Sequence, residues 1–452
     1  MTRSVLVKVL FTGFLVLLLL IPNQMIQSVV NERQSRRSEA VAEVASHWGE
    51  EQTLVGPLLT VPFRIVFKDA KGREQTRHDH VQLFPESLDI DAVVRPEQRR
   101  RGIFDVIVYE TDLNVKGTMP AIDLAAIGVT AEDVLWPDAT FSVSVSGTRG
   151  IKEPLRLTWE SAEIAFEPGL GRSPLFTAGV HAKVAALSPV NKAHPFSFKM
   201  TLRGSQSLSV APVAVRTSTR IRSSWPHPSF YGAVLPDTRT QGAAGFDARW
   251  AVSYLGRNYP QQWRLEACDR PTLQSAISAS AFGVRFYQPV DLYQLSTRTI
   301  KYAILFLGLT FLAFFLFEVF GELRLHPLQY LFVGSALLLF GLLLVALSEH
   351  IGFQRAYLAS AAATIALITA YSAYVLVKKA RAALIGGMLC ALYGSLFILL
   401  QMEDEALLAG TLGLFTILAV LMLMTRRVDW YAVSVGGPPR APAVPPVSFT
   451  RP

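Results

Sequence analysis

Residues 292–347 read LYQLSTRTIKYAILFLGLTFLAFFLFEVFGELRLHPLQYLFVGSALLLFGLLLVAL, and the organisation of the whole chain follows from them. Two apolar runs, each near the ~20 residues that cross a ~30 Å hydrocarbon core, flank residues 321–327 (GELRLHP). A polar connection that short joins two spans only as a helical hairpin. Between an amino-terminal apolar run and the hairpin lies a large charged, water-soluble insert, and everything after the hairpin is more apolar runs.

The 452 residues are 51% hydrophobic with a formal net charge of +8, an average that hides two compositions. Most charged residues lie between 27 and 301, where both signs are interleaved, and the rest of the positive excess sits at membrane boundaries. Such a distribution argues against a nucleic-acid partner. Cys268 falls in the charged region and Cys390 inside an apolar run, so no internal disulfide is expected. Cys268 is read as a plain thiol or as a pairing site between chains.

At the amino terminus, basic Arg3 and Lys8 precede the apolar run Val9–Ile26, with no small-residue cleavage pattern close behind it. This reads as an uncleaved signal anchor over residues 1–27. Pro22 is expected to kink the helix or its end. Val41, Val44, Ala45 and Trp48 at helical spacing, followed by Gly49, predict an amphipathic linker helix over 28–49. Such a helix lies on its own domain or serves as a stalk.

Over residues 50–290 the period changes to two. Val61–Phe67 and Gln75–Leu83 alternate around residues 69–72, a hairpin pattern. Leu88, Ile90, Ala92 and Val94 alternate with Asp89 and Asp91, and Ile103–Val108 is a denser run. Phe141, Val143 and Val145 alternate with serines, which predicts a half-buried strand. Further strands are expected at Leu155–Trp159, Phe196–Leu202, Leu208–Val213, Phe246–Tyr254 and Phe282–Phe286, with one interrupting helix capped at Thr130–Asp133. Many short strands with Gly/Pro punctuation imply an antiparallel β domain, one sandwich or two.

Downstream, Asp291 with Gln294 forms a candidate capping box for the second membrane helix. The strand ending at Tyr287 then feeds that helix through Pro289 with almost no slack. Five spans are expected near 302–320, 328–348, 356–377, 382–401 and 406–424, before a Pro-rich tail over 426–452. Arg324, residues 378–381 and Arg426–Arg427 share one side with Arg3 and Lys8, whereas Glu349–His350 and residues 403–405 fall on the other. The positive-inside rule then places both termini in the cytoplasm and residues 28–300 in the periplasm. The fold class expected is a multi-domain membrane protein: a six-helix transmembrane bundle (residues 1–27 and 291–425) plus a large antiparallel, all-β, sandwich-like periplasmic domain inserted between the first and second spans.

Chemistry is thinner than architecture. His78 and His80 share one side of a strand as a possible metal pair without a third ligand, against the simpler reading of an exposed polar strand. Residues 224–230 (SWPHPSF) read as a structural turn packing Trp225 or as a partner-binding edge. No nucleophile-elbow, zinc-protease, P-loop or dinucleotide-binding pattern occurs. No catalytic residue, cofactor or metal site is therefore assigned. A charge at mid-bilayer costs about 2.5–3.5 kcal/mol, and none lies there; Glu318, Glu349 and Gln401 sit near helix ends, where they can snorkel to water. Glu318 keeps both an end-of-helix and a functional reading. Gly386, Cys390 and Gly394 fall on one helix face, a packing device between helices.

Residues 54–58 (LVGPL), 83–88 (LFPESL), 225–230 (WPHPSF), 301–305 (KYAIL), 324–330 (RLHPLQY) and 346–350 (ALSEH) resemble the CreD family of bacterial inner-membrane proteins. The later spans are similar mainly in hydrophobicity, and the Pro-rich tail departs from the family. The resemblance implies a Gram-negative inner-membrane location, a role in cell-envelope integrity, and association with a sensor-kinase/response-regulator system answering metabolic or β-lactam stress. It brings no enzymatic activity. The leading expectation is a non-enzymatic envelope protein whose β domain meets a periplasmic or membrane protein partner, a lipid or a cell-wall component. Lipid or amphiphile binding and transfer is the first alternative. A membrane-bound hydrolase is the second, and it would require His78, His80 or His227 to converge with a nucleophile or metal.

Overall fold

The computed structural model describes residues 5–68, 70–152, 155–173, 175–184, 192–287, 292–320, 325–376, 379–402 and 405–426. Arg3, Asp69, Asp291, Arg324, Lys378, Glu403, Asp404, Arg427 and the rest of the tail lie outside them, and so does the Asp291 cap. The chain forms two compact units, Met1–Arg36 with Val290–Pro452, and Arg37–Pro289.

Helices in chain order are Val5–Trp48 (α1), Leu124–Ile127 (α2), Arg270–Ala279 (α3), Leu292–Phe320 (α4), Pro327–Ile351 (α5), Phe353–Val375 (α6), Lys379–Gln401 (α7) and Ala406–Thr425 (α8). Among the described residues five helices, α1 and α4 to α7, are long and apolar enough to cross a membrane, and Leu408–Val420 is a shorter apolar helix. The anchor and the linker expected separately are one helix with Pro22 inside it. Its 44 residues span about 66 Å at 1.5 Å per residue. The start of α5 is sharply set: Pro327 opens the first turn, where its missing N–H costs nothing, and the His326 and Gln329 side chains cap each other's backbone.

Within the helical unit, Leu15, Leu19, Phe311, Leu337, Tyr357 and Tyr393 belong to one buried apolar cluster. Helix α7 buries Ala382, Ile385, Gly386, Leu389, Tyr393 and Leu396, an alternating three-and-four spacing that makes a packing seam. A Cβ on Gly386 would stand 2.7 Å from Thr369 Oγ1 of α6, so this glycine does permit close approach. Cys390 and Gly394 are exposed, which corrects the three-residue small face: the seam turns away from both. Gly334 of α5 is tighter, since a Cβ there would stand 2.3 Å from Leu19 Cδ1 and 2.9 Å from Phe311 Cζ.

The β unit holds eighteen strands among the described residues. They are Gln52–Lys68 (β1), Glu74–Leu83 (β2), Ser87–Arg101 (β3), Phe104–Met119 (β4), Thr140–Val145 (β5), Ile151–Lys152 (β6), Arg156–Trp159 (β7), Ala162–Ala165 (β8) and Glu167–Pro168 (β9). Gly179–Lys183 (β10), His194–Ser205 (β11), Ser207–Val210 (β12), Arg216–Ser223 (β13), Pro228–Gly232 (β14), Thr238–Gly242 (β15), Gly245–Ser253 (β16), Gln262–Arg264 (β17) and Phe282–Phe286 (β18) follow. One sheet runs β14-β18-β12-β1-β5-β10-β9, with β2 branching from β1 and β17 pairing β2; the other runs β15-β16-β13-β3-β4-β11-β7-β8, with β6 on β11.

The two sheets share one apolar core. Phe141 of the first sheet meets Trp159, Phe196 and Phe198 of the second, and Trp250 stacks 5.3 Å from Phe282. Trp159, Trp250 and Phe141 are almost wholly buried, each worth roughly 1.5–3 kcal/mol of transfer free energy. Pairing is mostly antiparallel, but β1 with β12 and β3 with β13 run parallel.

Strand β5 corrects the half-buried expectation, because all six residues are buried. It lies between β1 and β10, and its serines bond locally: Ser142 Oγ donates to the Leu58 carbonyl at 3.2 Å, and Ser144 Oγ to that of Ala178 at 2.8 Å. Strand β13 went unread because Thr217 and Thr219 face inward beside Ile221, while Arg220 and Arg222 point out to Asp247 and Asp91. The Thr130–Asp133 capping box is also corrected. Thr130 makes no cap bond; its hydroxyl goes to the Asp133 carboxylate, and only a 3-10 turn follows. A further helix, α3, is present.

Candidate functional site

Three places among the described residues hold a carboxylate that is little exposed and has internal partners. Two are in the helical unit, at either end of the α4–α5 pair. Glu318 of α4 is buried, with Lys8 Nζ 2.7 Å from Oε1 and Tyr330 Oη donating to Oε2 at 3.1 Å. Glu349 of α5 is half-buried, with Tyr293 Oη donating to Oε1 at 2.9 Å and Arg33 Nε at 3.9 Å. Each carboxylate thus has one tyrosine and one cation, and both cations come from α1. Lys8 and Arg33 are 25 residues apart, so about 37 Å of helix separates the two clamps. Between them Gln27 Nε2 approaches Thr297 Oγ1 at 3.4 Å.

This arrangement corrects the expectation that Glu318 and Glu349 snorkel to water. Their side chains are 5% and 9% exposed, and each has a tyrosine hydroxyl and a cation of α1 beside it instead of water. Gln401 is exposed.

The third place is in the β unit, on β2. Strand alternation puts His78 on the outside and Asp79 inside, where Asp79 is fully buried. Arg264 of β17 donates Nε to Asp79 Oδ2 at 3.0 Å, and the backbone N–H groups of His80 and Glu266 approach Oδ1 at 2.7 and 3.3 Å. Neighbouring Gln82, also buried, donates to Thr60 Oγ1 and Ser173 Oγ and accepts from Trp263 Nε1 at 3.1 Å. Burial, and next the charge of Arg172, holds the His80 imidazole below its ordinary 6.5. The residue that matters structurally on this strand is the aspartate between the two histidines. Periodicity alone could have turned it inward; its partner, 185 residues away, could not be found that way.

Among the described residues no group of three His, Cys, Asp or Glu side chains is placed to hold a metal ion. His227 is not brought to His78 or His80: strands β18, β12 and β1 stand between β14 and β2, on the order of 19 Å at sheet spacing. Cys268 and Cys390 are both free thiols, and burial pushes the Cys268 thiol up from its ordinary value. Part of SWPHPSF is edge strand β14 rather than turn, with Phe230 packed on Phe246 and Trp250. Trp225 packs at the core margin and donates Nε1 to the Tyr287 carbonyl at 3.0 Å. A small cavity beside β5, lined by Leu58, Phe84, Ser142, Ser144 and Ser173, has a volume of about 10 Å³, room for one water.

Residues 4–431, which run through both units, match the family profile described as Inner membrane protein CreD. The chain belongs to the CreD family. It is 34% identical over 423 residues to the inner membrane protein CreD of Escherichia coli (strain K12), covering 93% of this chain and 92% of that one. Among solved structures, an M1 zinc metallopeptidase from Deinococcus radiodurans aligns with 37% of this chain and 38% of its own, at 7% identity and a TM-score of 0.19, too low to relate the folds. Within this CreD-family chain the match runs through both units, so it includes the charged clamps and the β2 network alike.

Proposed function

We propose that this chain is a non-enzymatic, multi-pass inner-membrane protein that supports cell-envelope integrity. On this reading both termini are cytoplasmic and the β unit is periplasmic, where it engages an envelope component or a protein partner. The observation that carries it is the family relationship through both units. The charge distribution supports the orientation, and α8 serves as the sixth span. Only residues 287–291 separate strand β18 from helix α4, so the sheet and the membrane helix are joined with little slack. Glu318 and Glu349 fit a structural role, since each has a cation of α1 beside it.

Deleting the gene should raise sensitivity to detergent and change the response to β-lactams; unchanged sensitivity, cell shape and β-lactam response would remove the envelope role. A fusion of alkaline phosphatase at Gly245 should be active, and an inactive fusion would reverse the orientation.

A further inference from the structure

Helix α1 carries an amide side chain, Asn23, directly after Pro22 and within its apolar run. The Asn23 side chain is half-buried and has no hydrogen-bond partner among the described residues. A carboxamide offers two donors and an oxygen acceptor, and away from bulk water each one left unmet costs free energy.

Beside Asn23 lies a cavity of about 10 Å³ inside the helical unit, between α1, α4, α5 and α7. Two further polar side chains line it, Thr299 of α4 and Tyr393 of α7, and Phe306, Phe340 and Gly341 are among its apolar walls. Tyr393 is 3% exposed. Its ring packs on those of Phe306 and Phe340, with centroids 4.9 and 4.6 Å away, and its backbone carbonyl accepts from Tyr357 Oη at 2.7 Å. The Tyr393 hydroxyl itself has no hydrogen-bond partner among the described residues. Thr299 Oγ1 donates to the Leu295 carbonyl at 2.8 Å, which leaves its lone pairs able to accept. Three helices thus each bring one polar side chain to the same small space.

We propose that this cavity binds one structural water, shared by Asn23, Thr299 and Tyr393. Size decides the class of ligand: about 10–15 Å³ admits a single water and nothing with a carbon skeleton. A buried water needs two to four polar partners, and the cavity supplies three. Charge agrees, since no ionisable carboxylate or cation lines the cavity and an ion there would be unpaired. The water accepts from the Tyr393 hydroxyl and the Asn23 amide and donates to Thr299. It ties α1 to α4 and α7 at a level between the Lys8 and Arg33 clamps, close to the Gln27–Thr297 contact. A bridge of this kind fixes the rotation of α1 about its own axis, which apolar packing alone specifies weakly.

The test is a density map of the full chain in nanodiscs, at a resolution that shows ordered water, together with a double-mutant cycle on its unfolding. A single peak within hydrogen-bond distance of at least two of the three side chains is expected. No peak in a map that shows waters elsewhere, or a direct bond between Asn23 and Tyr393, would overturn the proposal. Asn23→Leu and Tyr393→Phe each remove one partner of the same water. Each should shift the unfolding equilibrium about fivefold, the effect of one net hydrogen bond, and the double variant should stay near that value. A double variant shifted about 25-fold, the product of two independent effects, would also overturn it. Thr310→Val, which removes a buried hydroxyl elsewhere on α4, should multiply with either single variant. These outcomes leave the envelope role untouched, because that role is read from the deletion phenotype.

Discussion

Lys8 and Glu318 stand 310 residues apart in the chain and meet with 2.7 Å between Nζ and Oε1. The lysine side chain is 35% exposed and the glutamate 5%, so the two partners do not bear the pairing equally. The second clamp, Arg33 with Glu349, repeats that asymmetry at 45% and 9%. In each case the α4–α5 pair supplies the less exposed anion and α1 supplies a cation with a route to water.

That asymmetry sets the order of two mutational effects. Lys8→Met strands a buried carboxylate and should cost about 2–3 kcal/mol of the helical unit's stability. Glu318→Gln keeps a hydrogen-bonding group beside Tyr330 and frees a lysine that reaches solvent, so about 1 kcal/mol is expected. Denaturation of the purified full chain in detergent ranks the two; equal losses would show that the pair is not internal in solution.

For Asp79 and Arg264 the prediction concerns rescue. Arg264→Met leaves a carboxylate of zero exposure with only two backbone donors, at a cost of about 3 kcal/mol. Adding Asp79→Asn removes the stranded charge and should recover part of the loss. A double variant less stable than Arg264→Met alone would contradict the burial of Asp79.

Gly334 of α5 lies directly against Leu19 of α1 and Phe311 of α4. Gly334→Val places new carbon where Leu19 Cδ1 and Phe311 Cζ already stand, an overpacking cost of about 1–3 kcal/mol. Leu19→Ala in the same chain should relieve it. Thermal stability of the single and double variants decides whether the contact is as close as 2.3 Å implies.

The His80 imidazole gives the β unit a pH dependence above that of its carboxylates. Its pKa is depressed on folding, so the folded state binds fewer protons than the unfolded one. The stability it contributes is complete above about 6.5 and is lost as pH falls through the lower folded value. Glu110, Asp112 and Asp247, lowered by Lys152, Arg95 and Arg220 respectively, lose their contributions only at more acidic pH. The melting temperature should therefore drop from pH 7.5 to 5.5, and His80→Phe should flatten that drop. Parallel profiles for the two proteins would exclude His80 as the source.

The sequence was most informative where one physical signal dominates. Long apolar runs disclosed α4 to α8, and period-two alternation disclosed β3, because Leu88, Ile90, Ala92 and Val94 are apolar where they face the core. Strand β13 escaped since threonines fill its inward positions, and β14 since two prolines make SWPHPSF look like a turn. Strand β5 was read with the right residues but the wrong exposure, since a local pattern cannot report what covers the polar face. Lys8–Glu318 and Asp79–Arg264 were illegible for another reason. Each joins residues far apart in the chain, and charge type alone does not say which partner lies within reach.

The two parallel pairings bear on how the β unit is made. Strand β1 waits for β12, some 150 residues downstream, and β3 waits for β13, with antiparallel neighbours unable to supply those edges. Strand β12 in turn takes β18, the last strand before the membrane helices. Neither sheet can therefore be completed strand by strand in the order in which ribosomes make them. The early apolar strands must stay unpaired on those edges until roughly three-quarters of the unit has been synthesised, a high-contact-order route that favours slow closure and exposes them to aggregation meanwhile.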